Sequence, residues 1–456
     1  MPLILGANSV SGYTVKNSLR FNSGSSDDLS RTPASAGNRR TFTSSFWIKR
    51  SYVGSNNERI FHALGNTNRD GFLFQSDTFR FFIDGGTYNF ITNQVFRDIS
   101  AWYHFVITVD TTQATSSNRI KIYVNGSQIT SFSAEVYPTQ NFDMNFNTTT
   151  MHRIGRDASS NTEYMNAYIS EFNFIDGQAL TPSSFGETDT DTGTWIPKSY
   201  GGSYGTNGFY LKFADSSALG TDSSGNGNTW TVNNLTSIDQ TTDTPSNNFA
   251  TMNPLSNVSV TITEGNLKGA GAGDYNFRST FAVNKGKWYW EVKLGADGGV
   301  WGICSENVTM AQDRSGSAGV YGIQNAGGSF AYKRENGTTA QSAGFPNPVS
   351  GNIMNMAFDA DNAKLYIGIN GTYYNLSGTT GNPATSSNPT YSSIDTTLLW
   401  LAFCEFRGAS QSCELNFGSP PYSANSYTDS AGYGNFSYQV PSGYYALCTK
   451  NLAQFG

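Results

Sequence analysis

Helical periodicity is almost absent from this chain. Short runs of β-branched and aromatic residues instead alternate with clusters of Gly, Asn, Ser and Asp at intervals of roughly 8 to 15 residues, the pattern of strands and turns in an all-β sandwich or barrel. Strands are predicted over Phe42–Lys49, Gly71–Phe74, Phe79–Ile83, Trp102–Asp110, Ile120–Val124 and Tyr168–Ile175 in the first half. In the second half they are predicted over Val258–Thr263, Phe277–Val283, Trp288–Leu294, Val300–Cys304, Met354–Asp359, Lys364–Ile369 and Leu398–Phe403.

Composition narrows the class further. Charged residues are 14% of the chain, against roughly 25% in ordinary soluble domains. In their place stand 48 Gly, many Ser, Thr and Asn, and 31 Phe, 25 Tyr and 8 Trp. So many aromatics exclude a disordered chain, and so little charge excludes a coiled coil. The longest apolar run, Leu398–Cys404, falls far short of the roughly 18 residues of a membrane-spanning helix. A net charge of −6 without a basic block argues against nucleic acid or an anionic membrane as partner, because both need dense Lys and Arg.

At 456 residues the chain has room for two large β domains or about three average ones. Two polar, Gly/Pro/Ser/Thr-rich stretches, Gly186–Asn207 and Asn233–Asn257, read as connectors. A strand at Phe209–Phe213 between them closes the first domain, which places the boundary within 233–257. The four cysteines, Cys304, Cys404, Cys413 and Cys448, show no metal-ligand spacing and no disulfide framework. The N-terminus, with its first Lys at position 16, does not read as a signal peptide, so folding in a reducing cytoplasm is expected.

One grammar occurs twice. FVITVDTTQATSSNRIKIYVNGSQI (105–129) and IMNMAFDADNAKLYIGINGTYYNL (353–376) each give an apolar strand ending in Asp, a polar turn, a second strand, Asn-Gly and a third strand. Asn125-Gly126 and Asn370-Gly371 are the signature of two-residue type I′ turns. Either the two halves follow one sandwich plan or the match stops at two hairpins.

SLRFN (18–22), FTSSFWIKR (42–50), AWYHFVITVD (101–110), RIKIYVNG (119–126), HRIGRD (152–157) and YISEFNFIDGQALTPSSFG (168–186) together resemble the laminin-G-like, concanavalin A-like jelly roll. GKWYWEVKL (286–294), VWGIC (300–304), MAFDADNAKLYIGING (356–371) and CELNFG (413–418) resemble a SPRY domain, also a bent concanavalin-like sandwich. The fold class implied is two concanavalin A-like sandwiches in tandem: an N-terminal attachment tract at 1–16, a first sandwich at 17–232, a linker at 233–257 and a SPRY-like sandwich at 258–456. ADSSALGTDSSGNGNTW (214–230), DTPSNNFATMNPL (243–255), the opening MPLILGANSVSGY and the closing PSGYYALCTKNL resemble segments of virion proteins of marine and cyanobacterial tailed phages. What that resemblance implies is a virion protein, folded in the host cytoplasm without a signal peptide. It would contact other tail or capsid proteins, with a homotrimer as one assembly open to it, and recognise a host surface glycan or protein. A capsid decoration role is the alternative, and a glycan depolymerase a third reading.

Few residues carry a chemical signal. The Glu-x-Asp-x-x-Glu strand of the related glucanases, which sets two carboxyl groups about 5 to 5.5 Å apart for retaining hydrolysis, is missing. Glu171 and Asp176 are five apart, on opposite faces of a regular strand, and Glu291 stands alone. His62, His104 and His152 are scattered, and no nucleophile elbow is present, so no catalysis is expected. SSGNGNTW (223–230) differs from the sialidase Asp-box by Gly225 in the Asp position, and GAGAGD (269–274) reads as a flexible turn without P-loop features. Glu187, Asp189 and Asp191, alternating before Gly193, offer hard oxygens to a Ca²⁺ ion, or else form a solvated acidic linker. No other cofactor is required. For glycan recognition through stacking and hydrogen bonding, the loop candidates are Tyr200, Tyr204, Tyr332, Tyr373, Tyr374, Tyr391 and Tyr422. Trp47, Trp102, Trp288 and Trp290 are assigned to the core.

Overall fold

The structure, a computed structural model, describes residues 12–65, 68–257, 259–295, 298–311, 313–314, 316–325, 331–342, 344–408 and 410–456. They fall into two compact units, one within 9–246 and one within 247–456. The boundary therefore lies at Ser246/Asn247, inside the segment read as a linker.

The first unit packs two antiparallel sheets face to face. One runs in the order β10 (Ser127–Gln128), β9 (Ile120–Val124), β8 (Trp102–Asp110), β3 (Thr41–Arg50), β13 (Ala167–Asp176), β1 (Ser18–Phe21) and β18 (Gln240–Thr241), with β16 (Phe209–Leu211) also on β13. The other runs β11 (Phe132–Val136), β7 (Tyr88–Val95), β6 (Thr78–Ile83), β5 (Arg69–Gln75), β4 (Asn57–Leu64), β12 (His152–Ile154), β2 (Asp28–Arg31) and β17 (Thr231–Asn233). Alternate residues of each strand point inward, so the inner face is built of Phe. Phe46 stacks on Phe172 at 5.1 Å, Phe79 on Phe105 at 4.5 Å and Phe72 on Phe146 at 5.2 Å.

The second unit repeats this plan. One sheet runs β31 (Thr380–Gly381), β30 (Thr372–Tyr374), β29 (Lys364–Ile369), β28 (Ile353–Asp359), β23 (Lys287–Leu294), β33 (Gln411–Asn416), β21 (Lys268–Gly271) and β20 (Thr261–Thr263), with β34 (Tyr445–Ala446) on β23. The other runs β27 (Thr338–Gln341), β26 (Ala331–Glu335), β25 (Val320–Asn325), β24 (Gly299–Ser305), β32 (Trp400–Phe406), β22 (Asn276–Ser279) and β19 (Met252–Asn257). Strands β1 to β10 correspond in chain order and in sheet position to β21 to β30, and β12 and β13 correspond to β32 and β33. The shared grammar therefore extends beyond two hairpins to a common jelly-roll plan. Among the described residues the only α-helix is α1 (Thr449–Phe455).

A further layer covers the outer face of the β3/β8/β13 sheet, and it is drawn from the stretches read as connectors. Within 186–207, β14 (Gly186–Thr188) pairs with β15 (Trp195–Pro197). The Trp195 indole is stacked on His104, which in turn lies 4.7 Å from Trp47. Phe185 and Tyr204 bury Val106 and Ile175. From 233–257, Asp243 receives Lys49 Nζ at 2.8 Å and Trp102 Nε1 at 3.1 Å. Met252–Asn257 already belongs to the second unit. Neither connector is free, because the sheet carries Trp, His and Lys side chains outward and these need cover and a counter-charge.

Three more expectations change. GAGAGD is no loose turn: Gly269 and Gly271 lie in β21, where a Cβ on Gly269 would come within 3.1 Å of Phe277. Residues 1–11 of the attachment tract lie outside the described residues. Its remainder packs on the first sandwich, where Val15 is buried and Tyr13 Oη donates to Glu171 Oε2 at 2.5 Å. Of the strand expected over Val258–Thr263, Val258 is outside the described residues and Thr261–Thr263 forms β20. All four cysteines are buried and free, and Trp47, Trp102, Trp288 and Trp290 are buried as assigned.

Candidate functional site

The two sandwiches differ most where the chain leaves the three-strand meander. In each, the Asn-Gly turn is the same structure. Asn125 and Gly126 have φ of 48° and 81°, Asn370 and Gly371 of 50° and 84°, as a type I′ turn demands. Asn125 Oδ1 accepts the N–H of His104 at 2.8 Å, and Asn370 Oδ1 that of Ile353 at 2.9 Å. After this point the paths separate. In the second sandwich β31 stays on the same sheet, beside β30. In the first, the chain crosses through Ile129–Ser131 to the opposite sheet, where β11 pairs with β7.

That crossover opens a trough at the sandwich edge. A hollow of about 200 Å³ is lined by the aromatic rings of Phe90, Phe132 and Tyr137, by Ile120, Ile122 and Ile129, and by the polar side chains of Lys121, Gln128 and Glu135. A second hollow of about 330 Å³ shares Gln128, Ile129 and Thr130 and continues past Asn125, Ser127 and Ser131 to Gln94. The Tyr137 ring is held on two sides. It meets Phe90 edge-on at 4.9 Å, and its hydroxyl donates to Glu135 Oε1 at 2.5 Å. Burial and that carboxylate push the phenol well above its ordinary pKa. The crossover itself is pinned by Asn93, whose N–H donates to Ser131 O at 3.1 Å and whose amide donates to Ser131 Oγ at 2.8 Å. Half-buried rings, Phe132 and Tyr137 beside the fully buried Phe90, together with amides and hydroxyls can stack on an apolar face and hydrogen-bond its edges. In the second sandwich the corresponding edge is closed, since Ser342 Oγ and Gly344 N–H both donate to Leu376 O and Phe345 packs on Tyr374 at 5.9 Å.

The residues singled out from sequence do not assemble into a site. Tyr391 is buried, with its hydroxyl donating to Gly322 O at 2.6 Å. Tyr204 is buried and donates to Asn173 Oδ1 at 2.9 Å. Tyr373 packs among Tyr289 and Phe436, and Tyr422 is buried with Lys293 over its ring at 4.7 Å. These four are core residues, not loop contacts, because the covering layers need large side chains. Tyr200 is half-buried between Phe185 and Tyr204, and Tyr332 and Tyr374 are half-buried in strands.

The three acidic residues weighed for Ca²⁺ do not converge. Asp189 turns inward, its Oδ1 accepting the N–H groups of Asp191 and Thr192 at 3.0 and 2.8 Å, while Glu187 reaches toward Lys198 at 3.7 Å. No group of three or more His, Cys, Asp or Glu positioned for a metal occurs among the described residues.

The carboxylates weighed for catalysis are consumed by the fold. Glu171 is not in a regular strand: it sits at a bulge with φ of 51° and accepts the phenols of Tyr13 and Tyr210. Asp176 accepts Asn38 N–H and the Asn147 amide, both at 2.8 Å, and Asn207 N–H at 3.0 Å. Glu291 is fully buried and accepts Tyr289 Oη, the Asn416 amide and the N–H groups of Ser437 and Tyr438. Burial raises the pKa of Glu171 and of Glu291. In the Asp-box-like stretch, the turn is organised by Asp222, which accepts Ser224 N–H and Asn228 N–H.

The trough is not legible in the sequence, because Phe132 lies in a short, largely exposed strand (Phe132–Val136) and Tyr137 directly after it, with no turn signal between them. The one available signal was the weak alternation Phe132-x-Ala134-x-Val136 just after an Asn-Gly hairpin.

Comparison with known proteins agrees with the architecture of the first unit. The family model of the concanavalin A-like lectin/glucanases superfamily matches residues 23–184. No curated protein matches the chain. Similar solved structures include the SPRY domain of human HERC1, at 11% identity over 36% of this chain and 96% of that one, with a TM-score of 0.29. Another is a candidate carbohydrate-binding protein from Bacteroides ovatus, at 16% identity over 51% and 62%, TM-score 0.37. A third is the heptameric SAP-like pentraxin of Limulus polyphemus, at 15% identity over 37% and 80%, TM-score 0.28.

Proposed function

We propose that the chain is a non-catalytic recognition protein whose first sandwich holds a glycan in the trough between β10 and β11. The observation that carries this reading is the crossover at Ile129–Ser131, which opens an edge lined by aromatic rings and amides in one sandwich where its counterpart keeps the edge shut. A match of residues 23–184 to a superfamily named for lectins and glucanases supports a carbohydrate ligand. The engagement of Glu171, Asp176 and Glu291 in structural hydrogen bonds supports binding over hydrolysis.

The setting we propose is a phage virion, with the chain acting as a tail or head adhesin, folded in the host cytoplasm and directed at a host surface glycan. Support for this comes from the phage-like segments at 214–230 and 243–255. The second sandwich, SPRY-like in GKWYWEVKL and CELNFG, would serve attachment to neighbouring virion proteins. The test is retention of the purified full chain on host cells and on their extracted surface polysaccharide. Retention that is lost in Tyr137→Ala is expected. Absence of any binding to either would refute the proposal.

A further inference from the structure

We infer that the trough takes an internal stretch of a neutral, linear glycan, not a charged sugar and not a chain end; this rests on the glycan reading above. Its lining carries one cation and one anion, Lys121 and Glu135, and the Glu135 carboxylate is already engaged by the Tyr137 hydroxyl at 2.5 Å. Recognition of uronate, sialate or sulfate calls for guanidinium or clustered ammonium donors, and neither hollow is lined by an arginine. The remaining polar groups are neutral amides and hydroxyls, such as Gln94, Asn125, Gln128 and Thr130, which match sugar hydroxyls as both donors and acceptors. A net charge of −6 would also repel a polyanion.

The shape gives the second half of the inference. Two hollows that share Gln128, Ile129 and Thr130 as a common wall stand next to one another beside the hairpin, two places for sugar rings instead of one closed cup. Tyr137 stands in only one of them, so one sugar ring stacks there while its neighbours lie along the amides of the other. A terminal monosaccharide would leave the second hollow unused.

The experiment applies the full-length protein to a printed array of neutral and anionic glycans. Calorimetry then follows a size series, from monosaccharide to hexasaccharide, of the best-retained chain. Expected are neutral chains as the ligands, affinity that rises by about tenfold or more from one sugar to four, and no change when the reducing end is converted to the alditol. Tyr137→Ala and Gln128→Ala are each expected to weaken binding by about tenfold. Preference for anionic chains, or a monosaccharide that binds as tightly as the tetrasaccharide, would overturn this inference and leave the glycan reading standing. Binding to no glycan on the array would overturn both.

Discussion

His62, His104 and His152 are all buried in the first sandwich and all held neutral. His104 shows how. Its Nδ1 accepts the Trp195 indole N–H at 2.9 Å, which leaves the proton on Nε2 to be donated to Ser45 Oγ at 2.9 Å. Burial lowers its pKa to about 3, that of His62 to about 3 despite Asp157 at 3.5 Å, and that of His152 to about 4. The unfolded chain takes up protons on these rings as the pH falls below about 6.5, whereas the folded one does not. Their contribution to stability is therefore complete above about pH 6.5 and is lost as the pH falls toward 4. For three such groups the slope is about 4 kcal/mol per pH unit near pH 5.5. Hydrogen exchange at pH 7.5 and pH 5, corrected for intrinsic rates, should show first-sandwich strands losing protection at the lower pH while second-sandwich strands keep theirs. Equal loss in both would contradict it. Glu291 makes a different case. Removing a carboxylate that holds Ser437 and Tyr438 from β23 leaves buried donors unpaired, so Glu291→Ala should cost about 3 kcal/mol or more in urea unfolding and leave glycan retention intact at temperatures where the protein is folded.

Elements were more legible than sites. Strands such as Trp102–Asp110 and Lys364–Ile369 stand where alternation put them, and both Asn-Gly turns follow from the positive φ that those residues tolerate. The covering layers were not legible. Gly186–Asn207 has turn-like composition, yet Trp195 folds it onto the sheet, and no local pattern in a Gly-rich stretch says that one indole will be buried. Glycines on this face record the fit. A Cβ on Gly126 would stand 2.6 Å from the Trp195 ring, in a residue already at φ of 81°. Gly126→Ala should thus destabilise the first sandwich by about 1–3 kcal/mol, read as a lower urea midpoint. An unchanged midpoint would show that the indole is free to move. The tyrosine candidates failed for a related reason. Polar surroundings in sequence suggested loops, but Tyr391 and Tyr422 lie beneath such segments, not on them.

At the scale of the whole chain, one jelly-roll plan is used twice with a different exit from the meander. In the first sandwich the chain crosses between sheets and leaves the trough; in the second it stays on one sheet and Leu376 O closes the edge. Low charge and abundant Gly, Asn and aromatics made the architecture readable, whereas the crossover was not, because the choice of sheet for β11 depends on pairing with β7, some forty residues earlier in the chain. The most direct test of a glycan site at this crossover is a crystal structure of the full chain with a bound tetrasaccharide of the best-retained glycan. Sugar density along the trough, with one ring on Tyr137 and its neighbour beside Gln128, is the expected result. Density anywhere else, with the trough empty, would contradict the account.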